Sequence, residues 1–155
     1  MIKIGRAIVG GAIGTVLLTS MMYFVAPVMT GRTMDIAAML GSMMGGSWAL
    51  GMMVHLAQGI VVFPLIYVLG VYQRLWGAPW LRGIVWGIVL WLLALLVVMP
   101  AMGSGFFSAG AGGMPSVLSS LFGHLIYGLA LGAVAGAPEK ARSTSDRSTT
   151  TGVHA

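Results

Sequence analysis

The sequence predicts an all-α protein: four membrane-spanning helices in a bundle, built from two related hairpins, with a short interfacial helix in the first outer loop. Three observations carry this. Of the 155 residues, 58% are hydrophobic and only 7% charged, whereas soluble chains are about a quarter charged. So few charges cannot clothe a water-soluble domain. Four apolar runs each reach the roughly 20 residues a helix needs to cross about 30 Å of hydrocarbon. Within them the apolar residues are continuous, without the two-residue alternation of a membrane barrel. The same content excludes global disorder. The chain has no cysteine, which excludes a disulfide framework, a zinc–thiolate site and a cysteine nucleophile.

The first span, residues 7–29, follows Lys3 and Arg6. Its apolar run of about 22 residues exceeds the 7–15 of a signal-peptide core, so it reads as a retained helix. Residues 33–46 (TMDIAAMLGSMMGG) predict a short helix lying in the interface, with Thr33 or Asp35 as N-cap and Gly45-Gly46 as terminator. The second span covers residues 47–72 and the third 81–102, where Arg82 sits near enough to the end to snorkel. A glycine-rich loop around Phe106-Phe107 leads to the fourth span, residues 115–137. Residues 1–137 thus form the transmembrane domain. Residues 138–155, rich in Ser, Thr and charge, read as a disordered tail.

Charge sets the expected orientation. With both termini in the cytoplasm, Lys3, Arg6, Arg74, Arg82, Lys140, Arg142 and Arg147 lie inside and only Arg32 outside, as the positive-inside bias requires. Trp76, Trp80 and Trp86 then fall near the inner interface and Trp48 near the outer one. The net charge of +5 is a topology signal facing anionic lipid, so the expected partners are the bilayer and other membrane proteins or further copies of the chain, not nucleic acid.

Two short blocks recur. Val25-Ala26-Pro27-Val28-Met29 and Val98-Met99-Pro100-Ala101-Met102 both read V-x-P-x-M. The segments Gly51 to Gly59 and Ser120 to Gly128 both read small-x-x-x-H-L-x-x-G. Each half is one hairpin starting from the same side, which makes the repeat parallel, with a pseudo-twofold axis along the membrane normal. Small residues at helical spacing (Gly10 and Gly14; Gly51, His55 and Gly59; His124, Gly128, Gly132 and Gly136) form faces on which helices approach closely. Such faces point both histidines into the bundle and offer GxxxG surfaces to partners.

An ionisable residue within a span marks a candidate site. His55 and His124 lie at similar depth on equivalent helices. One reading makes them axial ligands of a haem b, with Gly51, Gly59 and Gly128 giving clearance to the macrocycle. A second has them hydrogen-bond across helices to Thr15, Gln58, Ser119 or Tyr127. Another metal or a quinone is a third. The thirteen methionines add a copper reading centred on Met39, Met43, Met52 and Met53, since thioether sulfur suits Cu(I); against it, Met also fills irregular apolar gaps. The only acids are Asp35, Glu139 and Asp146, so no carboxylate relay crosses the membrane and no acid–base pair or Ser-His-Asp set exists.

The blocks MDIAAMLG (34–41), H-L-x-x-G in the second span, LRG (81–83), MPxMGxGFF (99–107) and GHLxYG (123–128) resemble a family of small prokaryotic four-helix integral membrane proteins of unknown function. The resemblance covers about residues 5–137. It implies the four-span topology and a prokaryotic plasma membrane, and it carries no activity. The expected role is a non-catalytic accessory or interaction subunit of a larger membrane assembly, respiratory assemblies included; the alternative is a bis-histidine haem b electron carrier.

Overall fold

The structure, a computed structural model, describes residues 4–110 and 112–136; the expected tail at 138–155 lies outside the described residues. Four long apolar helices carry the fold: α1 (Ile4–Thr30), α3 (Trp48–Arg74), α4 (Pro79–Ala101) and α5 (Gly113–Gly136). The short α2 (Ile36–Ser42) sits in the connection between α1 and α3. The spans match the expected ones to within a few residues, and the protein is a multi-pass membrane protein.

The ends follow local chemistry. Gly31, with φ of 70°, ends α1 in a left-handed turn, the conformation only glycine adopts freely. Of the two expected caps for α2, Asp35 serves: its carboxylate accepts the Ala38 N–H at 2.9 Å. Gly45 and Gly46 (φ 70° and 83°) turn the chain after it. The Ser47 hydroxyl caps α3, and Pro79 stands in the first turn of α4, where its missing N–H would have had no partner.

Three prolines lie inside spans, and each is preceded by a widened turn with i to i+5 bonding. The wide turns are Met21–Val25, Gln58–Val62 and Ala94–Val98, ahead of Pro27, Pro64 and Pro100. In all three the turn runs from the sixth to the second residue before the proline. The reason is common: proline offers no N–H to the carbonyl four residues back and crowds it, and a wide turn moves that carbonyl aside. The two V-x-P-x-M blocks therefore fold alike. The second and fourth spans differ, since only α3 carries an internal proline.

Helix α5 is central, packed along both α1 and α4, while α3 packs on α1 and under α2. Lipid gives no hydrophobic drive for helix association, so backbone proximity and polar contacts must supply it. Glycine supplies the first. Gly10 and Gly14 of α1 lie against Leu131 and Tyr127 of α5, and Gly83 of α4 against Gly128 and Gly132 of α5. Gly51 lies against Ala37 and Gly41 of α2, and Gly59 against Thr15 of α1. A Cβ at Gly10, Gly14, Gly51, Gly59 or Gly83 would meet a neighbour too closely. The small-residue faces are thus consumed within the fold, and the expectation that they stay exposed for partners is corrected.

Polar ties add the second. The Tyr127 hydroxyl donates to the Gly59 carbonyl at 2.8 Å, joining α5 to α3. Arg6 Nε reaches the Val134 carbonyl at 2.9 Å, and Trp91 Nε1 the Val117 carbonyl at 3.2 Å. At the end of the bundle away from α2, the buried core comprises Tyr67, Trp86, Leu90, Tyr127 and Leu131. Trp86, expected in an interfacial belt, instead packs against Tyr67 with ring centroids 6.3 Å apart. Its place on α4 turns it inward, whereas Trp48, Trp76 and Trp80 are exposed as belts require.

Candidate functional site

The site is a cavity of about 110 Å³ between the four long helices, toward the end covered by α2. His55 and His124 both line it, with Gln58, Ser120 and Tyr127 as polar neighbours. Packing register explains why they meet. Along α1 and α5, which run antiparallel, Gly10 faces Leu131, Gly14 faces Tyr127 and Leu18 faces Gly123. On the neighbouring side Thr15 faces Gly59, and Thr19, one turn on, meets His55. Leu18 and Thr19 are adjacent, so His55 and the Gly123–His124 turn share one level in the bundle. Helical side chains also lean toward their own N-terminus, which brings both rings toward the α2 end.

Each imidazole is held by one ring nitrogen. His55 Nε2 lies 2.9 Å from the Thr19 hydroxyl on α1. His124 Nδ1 lies 2.8 Å from the Ser120 carbonyl one turn back on its own helix. A carbonyl only accepts, so in the neutral ring Nδ1 carries the proton and Nε2 keeps its lone pair. No described residue bonds His124 Nε2 or His55 Nδ1, which leaves one nitrogen on each ring for another partner. Of the interhelical partners expected from sequence, Thr15 bonds the Gly11 carbonyl and Tyr127 the Gly59 carbonyl, and neither Gln58 nor Ser119 bonds His55 or His124. The Thr19 contact is not legible in the sequence, because nothing there sets the α1–α3 register that brings it to His55.

The sulfur atoms also differ from expectation. Met43 and Met53 are exposed, Met39 packs on the Leu95–Met99–Val117 cluster, and none of these, nor Met52, lines the cavity. The methionines that do are Met22, Met34 and Met99. A residue count along the chain could not distinguish the two groups, because both cluster at the same end.

A connecting hub closes the α2 end. The Asp35 carboxylate accepts from the Tyr23 hydroxyl at 2.7 Å and from Trp48 Nε1 at 3.1 Å, besides capping its own helix. It thereby ties α2 to α1 and to the start of α3, and sets Met34, Ile36 and Leu40 as the cavity wall. Burial by itself raises the Asp35 pKa. The hydrogen bonds from Ala38, Tyr23, Trp48 and Ala37 outweigh it and hold the carboxyl below its ordinary value.

Haem b does not fit this arrangement. A cofactor of that size occupies pockets of roughly 300–1,000 Å³, well above 110 Å³. The three glycines expected to give a macrocycle clearance are filled by neighbours: Gly51 by the α2 backbone, Gly59 by Thr15 and Gly128 by Gly83. Opening those contacts would dismantle three helix crossings. A single ion with side-chain ligands is on the scale of the cavity.

The sequence profile of DUF6789, described as a family of unknown function, matches residues 1–146. The chain belongs to this family. No curated protein and no solved structure matches it.

Proposed function

We propose that this protein is a non-catalytic binding module of a prokaryotic plasma membrane, with both termini cytoplasmic, that holds one metal ion between His55 and His124. The carrying observation is that two imidazoles from different hairpins line one cavity, each pinned at one nitrogen and, among the described residues, unbonded at the other. Metal-ligating histidines characteristically use the second nitrogen this way, which fixes ring orientation and raises basicity. The Ser120 carbonyl and the Thr19 hydroxyl supply that support here. Within a larger membrane assembly the chain would act as the metal-holding subunit.

The test uses the full chain purified in mild detergent and incubated separately with Co(II), Zn(II) and Cu(I), with bound metal counted after gel filtration. The expected result is about one ion per chain of at least one metal, lost in both His55→Ala and His124→Ala while circular dichroism stays helical. A wild-type protein that retains none of the three, or variants that retain as much as wild type, would overturn the reading. A reduced-minus-oxidised optical spectrum of the same sample should show no haem bands.

A further inference from the structure

We infer that the ion is copper(I), bound by His55, His124 and the thioether of Met22, with Met34 and Met99 forming a sulfur path from the α2 end. This rests on the metal-binding reading above and names the ion.

Position carries the sulfur assignment. Met22 is three residues beyond Thr19 on α1, within the widened turn Met21–Val25. It is the one residue of that turn that lines the histidine cavity, and the chain runs from Thr19 toward the α2 end there. Since Thr19 touches His55 and Met22 lines the same cavity, Met22 borders the site on the α2 side of the imidazole level. The Met34 N–H reaches the Met22 carbonyl at 3.4 Å, which seats Met34 beside Met22. Met99 lies on α4 two residues from the helix end and is buried with only 6% exposed. The order from floor to α2 end is therefore the imidazole pair, Met22, then Met34 and Met99.

Charge carries the choice of oxidation state. Every ligand in the set is neutral, and among the described residues Asp35 is the only carboxylate; its oxygens are engaged with Tyr23, Trp48 and Ala38. The desolvation cost of an ion grows with the square of its charge, so a divalent ion meets about four times the penalty of a monovalent one in a dry site. Zn(II) or Ni(II) would bring two charges with no anion to balance them. Cu(I) brings one, favours soft thioether and imidazole donors, and accepts low coordination numbers.

The experiment titrates the full chain in detergent, anaerobically, with Cu(I) against the chromophoric competitor bicinchoninate, and repeats the titration in excess Zn(II). X-ray absorption on the loaded protein reads the ligand atoms. One Cu(I) per chain, undisturbed by Zn(II), with a sulfur shell beside two imidazoles, is the expected result. Met22→Leu, which keeps size and apolarity, should weaken Cu(I) binding at least tenfold and remove the sulfur shell, while Met53→Leu on the lipid face changes neither. If Zn(II) or Co(II) binds through the histidines and Cu(I) binds no better, or if Met22→Leu leaves affinity and spectrum unchanged, the copper assignment fails and the metal-binding reading survives. If no metal binds at all, both fail.

Discussion

Replacing Gly83 by alanine tests whether backbone contact between α4 and α5 holds the bundle. The new Cβ would stand 2.7 Å from Gly132 Cα and 2.8 Å from Gly132 N, and closer still to the Gly128 carbonyl oxygen. Ordinary contact begins near 3.4 Å, so clearing Gly132 Cα alone means parting the helices by about 0.7 Å, the difference between 3.4 and 2.7. A gap of that size forfeits roughly a quarter to a half of each affected van der Waals contact. Overpacking of this kind costs about 1–3 kcal/mol. The upper half applies here, because backbone cannot rotate aside as a side chain does. At about 2 kcal/mol the folded-to-unfolded ratio falls roughly thirtyfold. Gly5→Ala is the control: nothing lies within 4 Å of its Cβ, and alanine is the better helix former. Reversible unfolding from mixed micelles by increasing SDS fraction, followed by circular dichroism, reads both. Should the two variants agree within about 0.5 kcal/mol, the close α4–α5 crossing does not carry the stability assigned to it.

Other perturbations have equally definite outcomes. Tyr127→Phe removes the hydroxyl that reaches Gly59 and should cost about 1 kcal/mol in the same unfolding assay, the range of interhelical hydrogen bonds in membranes. Thr19→Val keeps the shape but strips the partner from His55 Nε2; metal affinity should fall about tenfold or more, with the helical spectrum unchanged. The pH dependence of the α2 hub follows from Asp35, whose folded pKa is depressed by its hydrogen bonds. Its contribution is complete above the ordinary carboxylate value and disappears as pH falls through the lower folded value. Trp48 fluorescence should therefore hold steady at neutral pH and change only in acid, and Asp35→Asn should remove that acid transition.

Particular residues show how far the sequence reaches. Asp35 and Gly45-Gly46 were legible as cap and terminator because capping is local: the carboxylate bonds an N–H three residues on. The histidines were legible because a titratable ring in an apolar span is conspicuous. Two misreadings share a cause. Gly51, Gly59 and Gly128, expected to give clearance, are filled by neighbours, and the cavity is lined by Met22, Met34 and Met99 where Met39, Met43, Met52 and Met53 were expected. In each case the composition was right and the neighbour was wrong, because helical spacing gives the residues on a face without saying which helix that face meets.

The membrane class, the four long apolar helices, the short capped helix and the shared level of both histidines are all legible along the chain. These depend on hydrophobic run length and on contacts a few residues apart, which one dimension encodes. Helix packing alone settles that the glycine faces are spent inside the bundle, that Trp86 turns inward, that Thr19 supports His55, and that three methionines share the histidine cavity. Those outcomes depend on the register between helices. In lipid, register is set by which backbones come close and which polar groups pair, not by hydrophobic periodicity, because the surrounding solvent is as apolar as the helices.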